Sequence, residues 1–131
     1  MPYRFEFNKT HRILRASVDS INGDAEVTNF RTETTKLISD IQPTAFVMDL
    51  SDTKQYEISS EIVRAIGRTA PALPDLSIPV ILVAPAPHIF GMSRMFQITS
   101  EEKRPWIRVV KSSEEAFKLL QVEKANFEPL P

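Results

Sequence analysis

The N-terminal part of the chain alternates between apolar and polar side chains, which is typical of β-strands that bury one face. The apolar members of this alternation are Tyr3, Phe5, Phe7, Leu14, Ala16 and Val18. A polar break at residues 8–11 separates the two runs. The pattern therefore predicts two strands that pair antiparallel through a tight turn.

The spacing of apolar residues changes to a helical period after residue 24. The side chains expected to face the core are Val27, Phe30, Thr34, Leu37, Ile38 and Ile41. The opposite face carries charges such as Glu26 and Lys36. This predicts an amphipathic helix of about five turns, with Asp24 as its N-cap, that stops at Pro43.

The rest of the chain alternates between short apolar runs and helical patterns. The predicted elements are a strand at residues 45–50, a helix from 59 toward 70, a strand at 80–84, a helix from about 88 toward 102, a strand at 106–110 and a helix from about 112 to 120. Residues 122–131 are expected to form a tail over the surface. The order β-β-α-β-α-β-α-β-α predicts an α/β domain over residues 1–131, with a mixed, mostly parallel sheet and four helices.

Composition narrows the classes of function. The chain has 131 residues, of which 42% are hydrophobic, so it is large enough to bury a core. Its formal net charge of −1 gives no electrostatic argument for binding nucleic acid. Cysteine is absent, which excludes disulfides and thiol chemistry. The sequence has no apolar run long enough to span a membrane and none that resembles a signal peptide, so we expect a cytoplasmic protein.

The strongest local resemblance is at the end of the third predicted strand. Met48-Asp49-Leu50-Ser51-Asp52, followed by Glu57-Ile58-Ser59-Ser60, resembles the STAS family, which has the SpoIIAA-like fold of anti-sigma-factor antagonists. The resemblance places the family's phosphorylated serine on Ser59 and its acidic turn residue on Glu57. Ser60 stands where glycine is usual, and Glu57 replaces an aspartate.

Three further segments extend this resemblance over most of the chain. They are residues 58–64, residues 83–97 with the sequence VAPAPHIFGMSRMFQ, and Arg104-Pro105. Together they resemble a bacterial group of STAS/SEC14-like proteins. The resemblance implies a fold, and it implies no particular activity.

Two segments are candidate interaction sites. Ser59 and Ser60 are either caps of the second helix or phosphoacceptors, because a phosphate at a helix N-terminus meets free N–H groups. Phe90, Met92, Met95 and Phe96 occupy more than one stripe of the third helix, together with Arg94. These residues are either core or an exposed surface for a partner or for self-association.

A third candidate site lies at the C-terminal edge of the predicted sheet, where ligands bind in open α/β folds. His88 and Asp49 are expected there, although a structural histidine and a turn carboxylate explain them equally well. Arg94, Lys103 and Arg104 form either an anion site or solvated surface charge. Neither a phosphate-binding loop nor metal-ligand spacing is visible, so no cofactor and no metal are predicted.

Three hypotheses of function remain open. The first is a non-enzymatic regulatory domain that binds a protein partner or a second copy of itself, with a homodimer as one outcome. The second is a domain that binds a small molecule or a lipid through the apolar third helix. The third, an enzyme built on His88 and nearby carboxylates, has the least support, because no nucleophile accompanies these residues.

Overall fold

The computed structural model describes residues 2–68, 78–101, 106–122 and 126–130. Its elements confirm the predicted mixed α/β architecture with four helices. They are β1 (Tyr3–Asn8), β2 (Ile13–Val18), β3 (Ser20–Asn22), α1 (Asp24–Ile41), β4 (Ala45–Asp49), β5 (Gln55–Glu57), α2 (Ser60–Arg68), β6 (Val80–Val83), α3 (Pro87–Ser100), β7 (Ile107–Val110), α4 (Ser113–Leu119) and β8 (Glu128–Pro129). The predicted end of the second helix near residue 70 and the predictions at Lys103, Arg104 and Pro105 lie outside the described residues.

The main sheet has the strand order β7-β6-β4-β2-β1-β8. β1 and β2 pair antiparallel, as the alternation near the N-terminus predicted, with Tyr3 opposite Val18. β2, β4, β6 and β7 are parallel to one another. β3 and β5 form a separate two-stranded parallel sheet that was not predicted, because three-residue strands are too short to show a period.

The two faces of the main sheet are covered differently. Phe46 and Val47 are neighbours in β4, and they belong to two separate buried clusters because successive side chains of a strand point to opposite faces. Side chains of α1, α2 and α3 pack with Phe46 on one face. On the other face, Val47 belongs to a smaller cluster with Ala116 of α4, against which Phe127 packs.

The boundaries of α1 differ from the prediction at its start. Gly23 occupies the N-cap position with φ 87° and no side-chain cap, and Asp24 is the first helical residue. A positive φ suits glycine, which lacks the Cβ that makes this conformation costly for other residues. The carboxylate of Glu26 instead accepts a hydrogen bond from the N–H of Asn22, at 2.6 Å. The helix ends before Pro43 as predicted, with Gln42 in the left-handed conformation.

The sequence analysis expected residues 122–131 to form a tail over the surface, and part of this segment forms the exposed edge strand β8. β8 pairs antiparallel with β1, with Phe7 opposite Glu128. Leu130 packs against the larger buried cluster, and Phe127 packs against the smaller one. The sequence signal was weak because two residues of strand cannot show alternation. Among the described residues, no helix is long and apolar enough to cross a membrane.

Candidate functional site

Ser59 caps the second helix. Its side-chain oxygen accepts a hydrogen bond from the backbone N–H of Ile62 at 3.1 Å, immediately before α2 begins at Ser60. This bond satisfies one of the N–H groups that a helix leaves free at its first turn. Ser59 is also exposed, whereas Ser60 is partly buried. Ser59 is therefore both a helix cap and an exposed residue.

The loop that precedes this serine is held by hydrogen bonds at both ends. The carboxylate of Asp49 accepts a bond from the N–H of Ser51 at 2.9 Å, which makes Asp49 a turn residue. The hydroxyl of Thr53 donates to the carbonyl of Val18 at 2.7 Å. These bonds fix the loop against the end of β2, although Ser51 and the following Asp52 are exposed.

The small β3–β5 sheet connects this loop to the start of α1. The N–H of Gly23 donates to the carbonyl of Glu57 at 2.8 Å, and the side chains of Asn22 and Gln55 are 3.1 Å apart in a hydrogen bond. The segment leading to Ser59 is thus attached to two neighbouring elements. The exposed residues of this segment therefore lie on a backbone that hydrogen bonds hold in place.

His88 lies near this surface, in contact with Tyr56. It is exposed, and its ring meets that of Tyr56 edge to face, with centroids 6.1 Å apart. Burial raises the pKa of Tyr56 to about 12, so its hydroxyl stays protonated at neutral pH. The described residues contain no cluster of three or more histidine and acidic side chains that could hold a metal ion.

The predicted interaction surface on α3 is largely occupied by packing. Met92 is buried, and Phe90, Met95 and Phe96 are partly buried. The ammonium nitrogen of Lys111 lies 5.0 Å from the centroid of the Phe90 ring. Arg94 is exposed, as a member of such a surface would be. Of the two alternatives, core and exposed surface, Met92 belongs to the core, and Phe90 and Phe96 pack against the larger buried cluster.

A cavity of about 200 Å³ lies between the sheet and the helices α1, α2 and α3. Most of its lining is aliphatic or aromatic: Ile21, Val27, Phe30, Ile38, Phe46, Met48, Tyr56, Ile58, Val63, Ile66, Ile78, Val80, Leu82, Phe96, Trp106 and Ile107. Its polar lining consists of Arg31, Thr34, Thr35 and Ser93. The sequence analysis did not predict this cavity.

Two hydroxyl groups in the cavity lining have no hydrogen-bond partner among the described residues. Thr34 is 9% exposed and Ser93 is 1% exposed, and the side-chain oxygen of each is buried without a partner. A buried, unpaired hydroxyl is costly, and such groups in a folded protein call for an explanation. Thr34 belongs to the stripe of α1 that was predicted to face the core. A polar residue in that apolar stripe was the signal in the sequence that could have indicated the cavity.

The fold of this protein is SpoIIAA-like, as a comparison with a solved structure shows. The solved structure of the phosphorylated form of the Bacillus cell fate determinant SpoIIAA is similar to it, with a TM-score of 0.57 and 19% sequence identity. The match covers 90% of this chain and 98% of that chain. No known family and no curated protein matches the sequence. At this identity the likeness establishes the fold alone.

Proposed function

We propose that this protein is a non-enzymatic regulatory domain that binds a partner protein through the surface at the start of α2. The observation that carries the proposal is the exposed residue Ser59, whose hydroxyl caps α2. The SpoIIAA-like fold and the resemblance that places a phosphorylated serine on Ser59 support it.

Phosphorylation of Ser59 would change this surface strongly. Phosphate adds about −1.5 to −2 charges at neutral pH. Glu57 and Glu61 flank Ser59 in the sequence, and both are exposed. The added charge would therefore increase the repulsion between Ser59 and these two carboxylates, and the phosphate would also occupy the hydroxyl. Both effects would weaken the binding of a partner that fits the unmodified surface.

The test compares Ser59→Glu with Ser59→Asn in cells of the source organism. Asparagine caps a helix about as well as serine but accepts no phosphate, whereas glutamate imitates the charge of the modified residue. We expect one partner to bind both the wild type and Ser59→Asn and to bind Ser59→Glu with lower affinity. Reciprocal purification of the isolated pair verifies this partner. Equal binding of both variants by that partner would rule out Ser59 as the switch.

The mass of the purified complex would distinguish a second copy of this chain from a different protein. A strictly monomeric protein that binds no specific partner, in either phosphorylation state, would overturn the proposal.

The cavity favours a second candidate function, the binding of a small apolar molecule. An engineered cavity of about 150 Å³ with apolar walls binds benzene, so a larger one has room for a small ligand. Here α3 contributes Ser93 and Phe96 to the lining. The probe is 1-octanol, followed through the fluorescence of Trp106, which lines the cavity and is the one tryptophan of the chain. Saturable binding supports this function, and no binding argues against it.

A further inference from the structure

Arg31 lies at the edge of the apolar cavity, and its guanidinium has no ion-pair partner in the part of the chain that the structure describes. It is partly buried and contributes to the cavity lining next to Thr34 and Thr35. Neither a side-chain hydrogen bond nor an ion pair joins the guanidinium of Arg31 to another of the described residues. Its partial exposure places it where the cavity approaches solvent, whereas Thr34 lies deeper on the same helix.

The positions of α1 one helical turn from Arg31 carry no acidic residue. The residues one turn away on either side are Val27, Thr28, Thr34 and Thr35. Burial lowers the pKa of Arg31, and no carboxylate of the described residues opposes this effect. The guanidinium nonetheless remains charged at neutral pH. A charged group that has lost part of its hydration without gaining an ion-pair partner is unfavourable, and an incoming anion would relieve that cost.

The chemistry of the cavity limits what that anion can be. A guanidinium binds a planar carboxylate through two parallel hydrogen bonds. Beyond Arg31, the walls accept an apolar body, with the free hydroxyl of Thr34 as a further donor on the same helix. A cavity of about 200 Å³ is somewhat larger than the one that holds benzene, which suits a body of about ten non-hydrogen atoms.

We propose that the cavity binds a small apolar monocarboxylate, with its carboxylate on Arg31 and its hydrocarbon part among the side chains of α1, α2, α3 and the sheet. This inference rests on the second candidate function, the binding of an apolar molecule. It adds the charge of the ligand and the residue that recognises it.

The experiment compares octanoate with 1-octanol, which have the same chain length and differ in charge. Binding is measured by calorimetry and by the fluorescence of Trp106. We expect octanoate to bind with a Kd between about ten micromolar and one millimolar. We expect octanol to bind at least about tenfold more weakly, because it cannot form the charge-assisted pair.

Two substitutions of Arg31 test the assignment. Arg31→Gln should weaken octanoate binding about tenfold and leave octanol binding within about twofold. Arg31→Lys keeps the charge and should retain part of the preference for octanoate. The comparison of the two ligands on the wild-type protein does not depend on how well either variant folds.

A third substitution tests whether the ligand occupies the cavity. Val63→Phe adds a ring to a buried wall position on α2 and should block both ligands. Octanoate binding that persists in Val63→Phe would overturn the proposal by placing the ligand elsewhere.

The remaining outcomes separate this inference from the function on which it rests. Equal affinity for octanol and octanoate, with no effect of Arg31→Gln, would overturn the role of Arg31 and leave apolar binding intact. Failure of both ligands to bind the wild type would overturn both.

Discussion

Arg15 lies over the ring of Phe127, with its guanidinium carbon 4.0 Å from the ring centroid. Arg15 belongs to β2, and Phe127 comes from the segment just before β8, so the contact joins the middle of the main sheet to the C-terminal part of the chain. Phe127 also stacks on Phe117 of α4, with centroids 6.0 Å apart. One aromatic ring thus connects β2, α4 and the edge strand on the less covered face of the sheet.

We predict that Phe127→Ala lowers the free energy of unfolding by about 1–3 kcal/mol, because it removes apolar packing and a cation–π contact. Phe127→Tyr keeps the ring and should change stability by less than about 1 kcal/mol. Urea denaturation measures both variants. Equal stability of the wild type and the alanine variant would mean that the C-terminal segment is not anchored by this ring.

The ion pair between Arg15 and Glu6 should make the free energy of unfolding depend on pH. Arg15 donates to Glu6 at 2.9 Å, and the hydroxyl of Ser17 donates to the other carboxylate oxygen of Glu6 at 2.7 Å. Burial acts to raise the pKa of Glu6, but the two hydrogen bonds and the charge of Arg15 outweigh it, so the pKa lies below its ordinary value of 4.5.

Because the pKa of Glu6 is lower in the folded state, its contribution to stability is present above pH 4.5 and is lost as the pH falls through the folded value. We predict that Glu6→Gln lowers the free energy of unfolding at pH 7 by about 1–3 kcal/mol and flattens its decline in acid. Denaturation curves from neutral pH into acid test this. A decline of the same steepness in the variant would assign the acid sensitivity to other carboxylates.

The cap of α2 should be measurable apart from any regulatory role. Ser59→Ala removes the acceptor for the N–H of Ile62 and should lower the free energy of unfolding by about 0.5–2 kcal/mol. Ser59→Asn should restore most of that loss. Thermal denaturation is the measurement, with Ser60→Ala as the neighbouring control, and an equal loss in that control would argue against a specific cap at Ser59.

The unpaired hydroxyl of Thr34 should be a cost in the ligand-free protein. We predict that Thr34→Val raises the free energy of unfolding by about 1 kcal/mol, because the substitution keeps the shape and removes a buried group without a partner. Thr53→Val is the matched control. The Thr53 hydroxyl donates to Val18 at 2.7 Å, so this change should instead lower stability by about 1 kcal/mol. Urea denaturation compares them, and a loss of stability in Thr34→Val would contradict the prediction.

Local periodicity predicted the parts of the fold in which one pattern extends over several residues. The alternation at Tyr3, Phe5 and Phe7 predicted β1, and the spacing from Val27 to Ile38 predicted the buried face of α1. The helical start at residues 59–61 was also visible, because serine is a favoured cap. Short elements were not predicted, because the two residues of β8 are too few to show a period and form a strand only by pairing with β1.

The amino-acid sequence by itself determined which residues seek burial, which segments form helices or strands, and that Ser59 stands at a helix start. Only the tertiary structure decided that Met92 is buried, that Phe127 meets Arg15, and that Thr34 and Ser93 line one cavity with Arg31. The physical reason is that periodicity depends on neighbours along the chain. A cavity instead depends on how closely separate elements approach, and that distance is set by the packing of side chains far apart in sequence.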